Sequence, residues 1–221
     1  MGLSMVGCAA PAAQSAGEGE LRFVPLGDSY TIGSQVAEAD RWPNQLVARL
    51  ADDPVSLRLV ANPAVTGFTS ADLIEVELPK LAELRPEFVT VQIGVNDVVQ
   101  GVPDVEYAAN VSLILDSLLE RVAADRVLCL ATPDYTVTPQ GAAYGEPGNQ
   151  RAGILRNNDI LRGACEAREI RFVPELFEIS QAAANDRSLV AVDGLHPSGI
   201  QYGLWVDAIE PVVREMLAAG R

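Results

Sequence analysis

The chain has 221 residues, a length that suits one large domain and leaves two small ones cramped. Hydrophobic residues make up 48% and charged residues 21%, a globular composition that rules out a largely disordered chain. Acids outnumber bases 30 to 16, a net charge of −14 that sets aside nucleic acid and anionic membranes as partners, and no apolar run reaches the ~18 residues of a bilayer span.

The first twenty residues carry no Lys or Arg and run through Ala, Pro, Ser, Gly and Glu. Within them Met5-Val6-Gly7-Cys8 resembles the lipobox of bacterial lipoproteins, without a basic n-region ahead of it. Residues 1–20 are therefore read as a flexible tail or as the remnant of a lipoprotein-type signal. The second reading implies export or lipid anchoring through Cys8, the first a cytoplasmic protein. The other thiols, Cys129 and Cys165, show no Cys-x-x-Cys spacing and read as small packed hydrophobes, so no metal is expected.

From Leu21 onward, short apolar runs alternate with helix-period segments. The predicted strands are Leu21–Leu26, Leu57–Ala61, Phe88–Ile93, Arg126–Ala131 and Ile170–Val173, all continuous apolar runs of the kind found in sheets covered on both faces. Helices are predicted over Pro43–Ala51, Ser70–Leu84, Val105–Ala123 and Gln150–Glu169. A last helix follows Ser198, in a capping box with Gln201 and with a kink at Pro211. The expected fold is a single α/β domain over residues 21–221, a three-layer α/β/α sandwich around a five-stranded parallel sheet. The stretch Thr132–Gly148 is long for a structureless loop, and loops of that length are often functional.

Polar residues collect after the strands, where open α/β sheets bind their ligands. The four groups are Gly27-Asp28-Ser29, the segment Asn62 to Thr69 containing Gly67, Gly94-Val95-Asn96-Asp97, and Asp193-Gly194-Leu195-His196. His196 is the single histidine of the chain. Asp193 stands three residues before it across a glycine turn, close enough to accept Nδ1–H, which would leave Nε2 free as a base. Ser29 is either an ordinary N-cap or a nucleophile, and only an adjacent base makes it the latter. Acyl transfer also needs oxyanion donors, and the N–H groups of Ser29 and Gly67 and the Asn96 amide are candidates.

In their order and spacing these four blocks resemble the SGNH hydrolases, also called GDSL esterases and lipases. The resemblance spans residues 24 to 197. It implies a flavodoxin-like topology, with Ser29 as nucleophile, His196 as base and Asp193 as its orienting acid. Ser29, Gly67 and Asn96 would form the oxyanion hole, and no cofactor is implied. The expected activity is hydrolysis of a small or short-acyl ester, with Phe68, Tyr135 and Tyr144 lining the pocket. Carbohydrate deacetylase, lysophospholipase and thioesterase activities occur in the same family. The rival of a different class is a non-catalytic flavodoxin-like module holding a phosphate or flavin at Gly27–Gly33. It gives Asp193 and His196 no task.

Overall fold

The computed structural model describes residues 19–219, so the readings of the N-terminal tail and of Cys8 lie outside the described residues. Five strands form one parallel sheet: β1 (Glu20–Gly27), β2 (Ser56–Leu59), β3 (Phe88–Gln92), β4 (Val127–Leu130) and β5 (Arg171–Val173). Their order is β2-β1-β3-β4-β5, with Phe23 opposite Leu59 on one side and Val24 opposite Val89 on the other. This is the expected sandwich and topology.

Nine α-helical segments accompany the sheet among the described residues: α1 (Ser29–Ile32), α2 (Trp42–Arg49), α3 (Ser70–Asp72), α4 (Leu81–Leu84), α5 (Val95–Gln100), α6 (Asp104–Leu119), α7 (Pro147–Glu166), α8 (Glu175–Ser180) and α9 (Gly199–Ala219). Alternate strand residues feed two cores. Phe23, Phe88, Leu128 and Leu130 pack with Trp42 and Leu46 of α2 and Trp205 and Ile209 of α9. Val24, Leu26, Val89 and Val91 pack with Val111, Ile114 and Leu115 of α6 and Leu161 of α7. Each such side chain, fully buried, contributes about 1.5–3 kcal/mol, so the central strands are held rigidly from both faces.

Three details differ from expectation. The single helix predicted over residues 70–84 is broken into α3, a π-turn (Leu73–Glu77), a 3-10 turn (Leu78–Lys80) and α4. Pro79 has no N–H to donate, and the ladder ahead of it widens to i→i+5. Thr69 and Asp72 form a full capping box at its start. At α9 only half of the expected box forms among the described residues: Ser198 Oγ accepts the Gln201 N–H at 3.4 Å and donates to Ser188 O at 2.6 Å. The helix runs on through Pro211 to Ala219. Finally, Thr132–Gly148 holds two 3-10 turns, Tyr135–Val137 and Gly141–Tyr144. Cys129 and Cys165 are buried free thiols, as expected.

Candidate active site

The chain leaves β1 for β2 on one side and reaches β3 on the other, so the crevice between the ends of β1 and β3 is the topological switch point. Gly27 ends β1 where a Cβ would stand 2.3 Å from Gln92 O and 2.4 Å from Thr31 Oγ1, so no other residue fits there. Asp28 then caps α1 by accepting the Tyr30 N–H at 2.9 Å, and Ser29 opens the helix with only 5% of its surface exposed.

The loop after β2 approaches the same rim. Gly67 has φ +88° with open space where a Cβ would stand, so its requirement is conformational and not steric. Its position is fixed one turn later, where the buried Asp97 carboxylate accepts both the N–H (3.0 Å) and the hydroxyl of Ser70. Asn110 of α6 adds a bond to Ser70 Oγ at 3.0 Å. From the end of β3, Asn96 donates Nδ2–H to Phe68 O at 2.9 Å, and Asp28 Oδ2 stands 3.3 Å from the same nitrogen. Among the described residues, the N–H groups of Ser29 and Gly67 have no acceptor.

His196 arrives on a tight loop closed by Ala191 N–H to His196 O at 2.7 Å. Asp193 Oδ2 meets His196 Nδ1 at 2.6 Å, while Asp193 Oδ1 accepts the N–H groups of Leu195 (3.0 Å) and His196 (3.1 Å). Burial pushes the Asp193 carboxyl up, but these three hydrogen bonds outweigh it and hold it below the usual carboxylate range. The imidazole packs on the Tyr30 ring, 5.4 Å between centroids, and Tyr30 packs in turn on Trp205. Gln140 N–H donates to Gly194 O at 3.0 Å, tying the Thr132–Gly148 stretch to this loop.

Ser29, Gly67, Asn96 and His196 all open into one cavity of about 150 Å³. Ser29 and His196 face it without being hydrogen-bonded to each other. Val95, Val99 and Leu195 supply apolar walls; Val95 and Leu195 sit within two of the motif blocks, where nothing marks them as lining, and Val99 lies outside all four. Tyr135 and Tyr144 line it as expected, in an edge-to-face pair with centroids 5.9 Å apart. Phe68 does not: it is half-buried outside the lining, and its contribution is the carbonyl that orients Asn96.

Three acids lie buried behind these turns. Burial drives Asp28 up to about 7 against its bond from Tyr30 N–H, with the Asp97 charge adding to the shift. Burial likewise drives Glu77 up to about 8, and Asp97 upward in spite of its bonds from Ser70. A carboxyl raised in the folded state stabilises fully below its unfolded pKa, and that stability is lost as pH climbs to the folded value. The Tm should therefore fall between about pH 5 and about pH 8.5, following Asp28 and Glu77. Calorimetry in that range tests this; a Tm that rises throughout contradicts it.

Comparison with known proteins gives the family. Residues 26–204 match the sequence profile of the GDSL-like lipase/acylhydrolase family. Esterase TesA of Pseudomonas aeruginosa is 25% identical over 198 residues, spanning 87% of each chain. An arylesterase of Vibrio mimicus is 26% identical over 186 residues, 83% of each. The crystal structure of TesA shares the fold with a TM-score of 0.69 at 21% identity, over 88% of this chain and 99% of that one. The acetylxylan esterase Axe2 of Geobacillus stearothermophilus gives 0.67 at 17% identity, over 87% and 94%. With the profile covering most of its length, the chain belongs to the GDSL-like lipase/acylhydrolase family and is a carboxylic ester hydrolase.

Proposed function

We propose that Ser29, His196 and Asp193 form the catalytic triad of this hydrolase, acting on small or short-acyl esters. The observation that carries the reading is the convergence of Ser29, Gly67, Asn96 and His196 on one cavity, with Asp193 bonded to His196 Nδ1 from behind. Asp193 fixes the tautomer in which Nε2 bears the lone pair. Ser29 Oγ attacks the ester carbonyl carbon as Nε2 takes its proton, a contact that tightens once substrate fills the site. The oxyanion that forms is met by the free N–H groups of Ser29 and Gly67, and by the Asn96 amide once it releases the longer, 3.3 Å bond to Asp28 Oδ2 while Phe68 O keeps its other hydrogen. Each such donor is typically worth about 2.7–4 kcal/mol in the transition state. The imidazolium then gives its proton to the leaving alcohol oxygen, and the C–O bond breaks to leave an acyl-serine. Water, deprotonated by the same ring, releases the acid and restores Ser29.

The phosphate- or flavin-binding alternative has little to rest on, since no Lys or Arg lines the cavity and α1 is four residues long.

Size sets the substrate. A void of about 150 Å³ encloses one benzene-sized group, so a short acyl chain is enclosed in full and a fatty acyl chain only in part. Its walls, Val95, Val99, Leu195 and the two tyrosines, suit an uncharged group. Across p-nitrophenyl acetate, butyrate, octanoate and palmitate, kcat/KM should peak at acetate or butyrate. A maximum at octanoate or beyond overturns this assignment of the substrate.

A further inference from the structure

The carboxyl of Glu77 is fully buried at the end of the π-turn, on the stripe that Leu73 and Leu81 share with the second core. A leucine there would complete the stripe more favourably, because burying a carboxyl without a cation is destabilising. Among the described residues Glu77 has no ion-pair partner, and its Oε1 has no hydrogen bond at all. Its Oε2 makes one contact of consequence: it accepts the Gly27 N–H at 3.0 Å.

That contact falls where the sheet runs out. β2 ends at Leu59, opposite Phe23, so the last residues of β1 have no strand on that side. A strand residue turns its N–H and C=O to the same side. At Gly27 the vacant edge is filled by Val65 N–H, which donates to Gly27 O at 3.4 Å, and by Glu77, which takes the N–H. The next two residues are Asp28 and Ser29. We propose that Glu77 is a positioning residue for Ser29: as a neutral acid it anchors the end of β1 where β2 has stopped, and its ionisation disturbs the turn that carries Asp28 and Ser29.

This rests on the reading of Ser29 as nucleophile. The groups that bear on Glu77 are few. Asp28 faces it from the β1–α1 turn and raises it, and Lys80 on its own segment lowers it without pairing with it. Behind Asp28 stand Asp97 of α5 and the buried phenol of Tyr107 of α6, and Asp72 of α3 bears on Asp97. While Glu77 is neutral, Asp28 is free to ionise and to hold the Asn96 amide and the Tyr30 N–H. Once Glu77 loses its proton, just above neutrality, two negative charges share one dry pocket. The turn must then give way, or Asp28 must take up a proton and weaken its hold on Asn96.

Two variants separate positioning from packing. Glu77→Gln keeps an oxygen for the Gly27 N–H but cannot ionise; Glu77→Met keeps the volume and loses the acceptor. With p-nitrophenyl acetate, Glu77→Met should lower kcat by about tenfold to a hundredfold with KM within about twofold. Its labelling by a fluorophosphonate probe should slow by the same factor. Glu77→Gln should match the wild-type kcat within about twofold near pH 7, and it should lack the decline in kcat that the wild type shows from about pH 7 to about pH 9. A Glu77→Met enzyme with wild-type kcat, a Glu77→Gln profile that superimposes on the wild type, or a wild-type kcat flat to that pH overturns the proposal. Should Glu77→Met fail to fold, the Glu77→Gln profile decides alone. If wild-type Ser29 is labelled and both variants behave as wild type, positioning by Glu77 fails while the nucleophile stands. A wild type unlabelled at Ser29 removes the nucleophile and this proposal with it.

Discussion

His196→Ala should lower kcat/KM on p-nitrophenyl acetate by about 10⁴- to 10⁶-fold, with secondary structure and cooperative unfolding retained. The size of the effect follows from the chemistry of a serine hydroxyl, which is a feeble nucleophile until a base takes its proton. His196 is the single histidine of the chain, and the cavity lining holds no Lys, Glu or Asp that could stand in for it. Loss of the ring also leaves nothing to protonate the departing alcohol, so both halves of the reaction suffer. The fold should survive because His196 lies at the rim, against one face of Tyr30, while the cores are built from the sheet and its covering helices. A variant that keeps more than about a tenth of wild-type kcat/KM would show that another group serves as base.

Asp193→Asn should lower kcat by about 10²- to 10⁴-fold while leaving KM nearly unchanged. The geometry dictates how the amide must sit. Two N–H donors, from Leu195 and His196, converge on Oδ1 at 3.0 and 3.1 Å, so the amide oxygen is required there. The NH₂ group is then forced to face Nδ1, where the carboxylate oxygen stood 2.6 Å away. A donor at that place selects the tautomer with the proton on Nε2, which is the wrong one for a base. The range extends below the largest effect of such substitutions because the Asp193 side chain is 26% exposed and water can partly restore the correct tautomer. A kcat within threefold of wild type would mean that Asp193 shapes the loop and does no more than that.

The sheet was legible because parallel strands covered on both faces must be continuous apolar runs, and Phe88–Ile93 and Arg126–Ala131 have no other use for so many such residues. The site was legible because each chemical group comes with a local device that its backbone needs: Gly27 before Ser29, Gly194 between Asp193 and His196. What escaped lacked such a device. α1, α5 and α8 span four to six residues each, too short for a 3.6-residue period to register. The break in the 70–84 segment was signalled by Pro79, but a proline says only that the ladder fails, and not that the turn ahead of it widens to i→i+5. Phe68 departs from expectation because adjacency to Gly67 in sequence says nothing of the direction its ring takes. Glu77 left one trace, an acid at a position four residues from Leu73 and four from Leu81 where the pattern calls for an apolar side chain. An ionisable side chain on a core stripe is the kind of local conflict that marks a functional position.

The most direct measurement is covalent trapping. Incubation with a fluorophosphonate, followed by proteolysis and mass spectrometry, should place one phosphonyl group on Ser29, with labelling absent in Ser29→Ala and strongly slowed in His196→Ala. An adduct on another residue, or undiminished labelling of Ser29→Ala, would contradict the account at its centre.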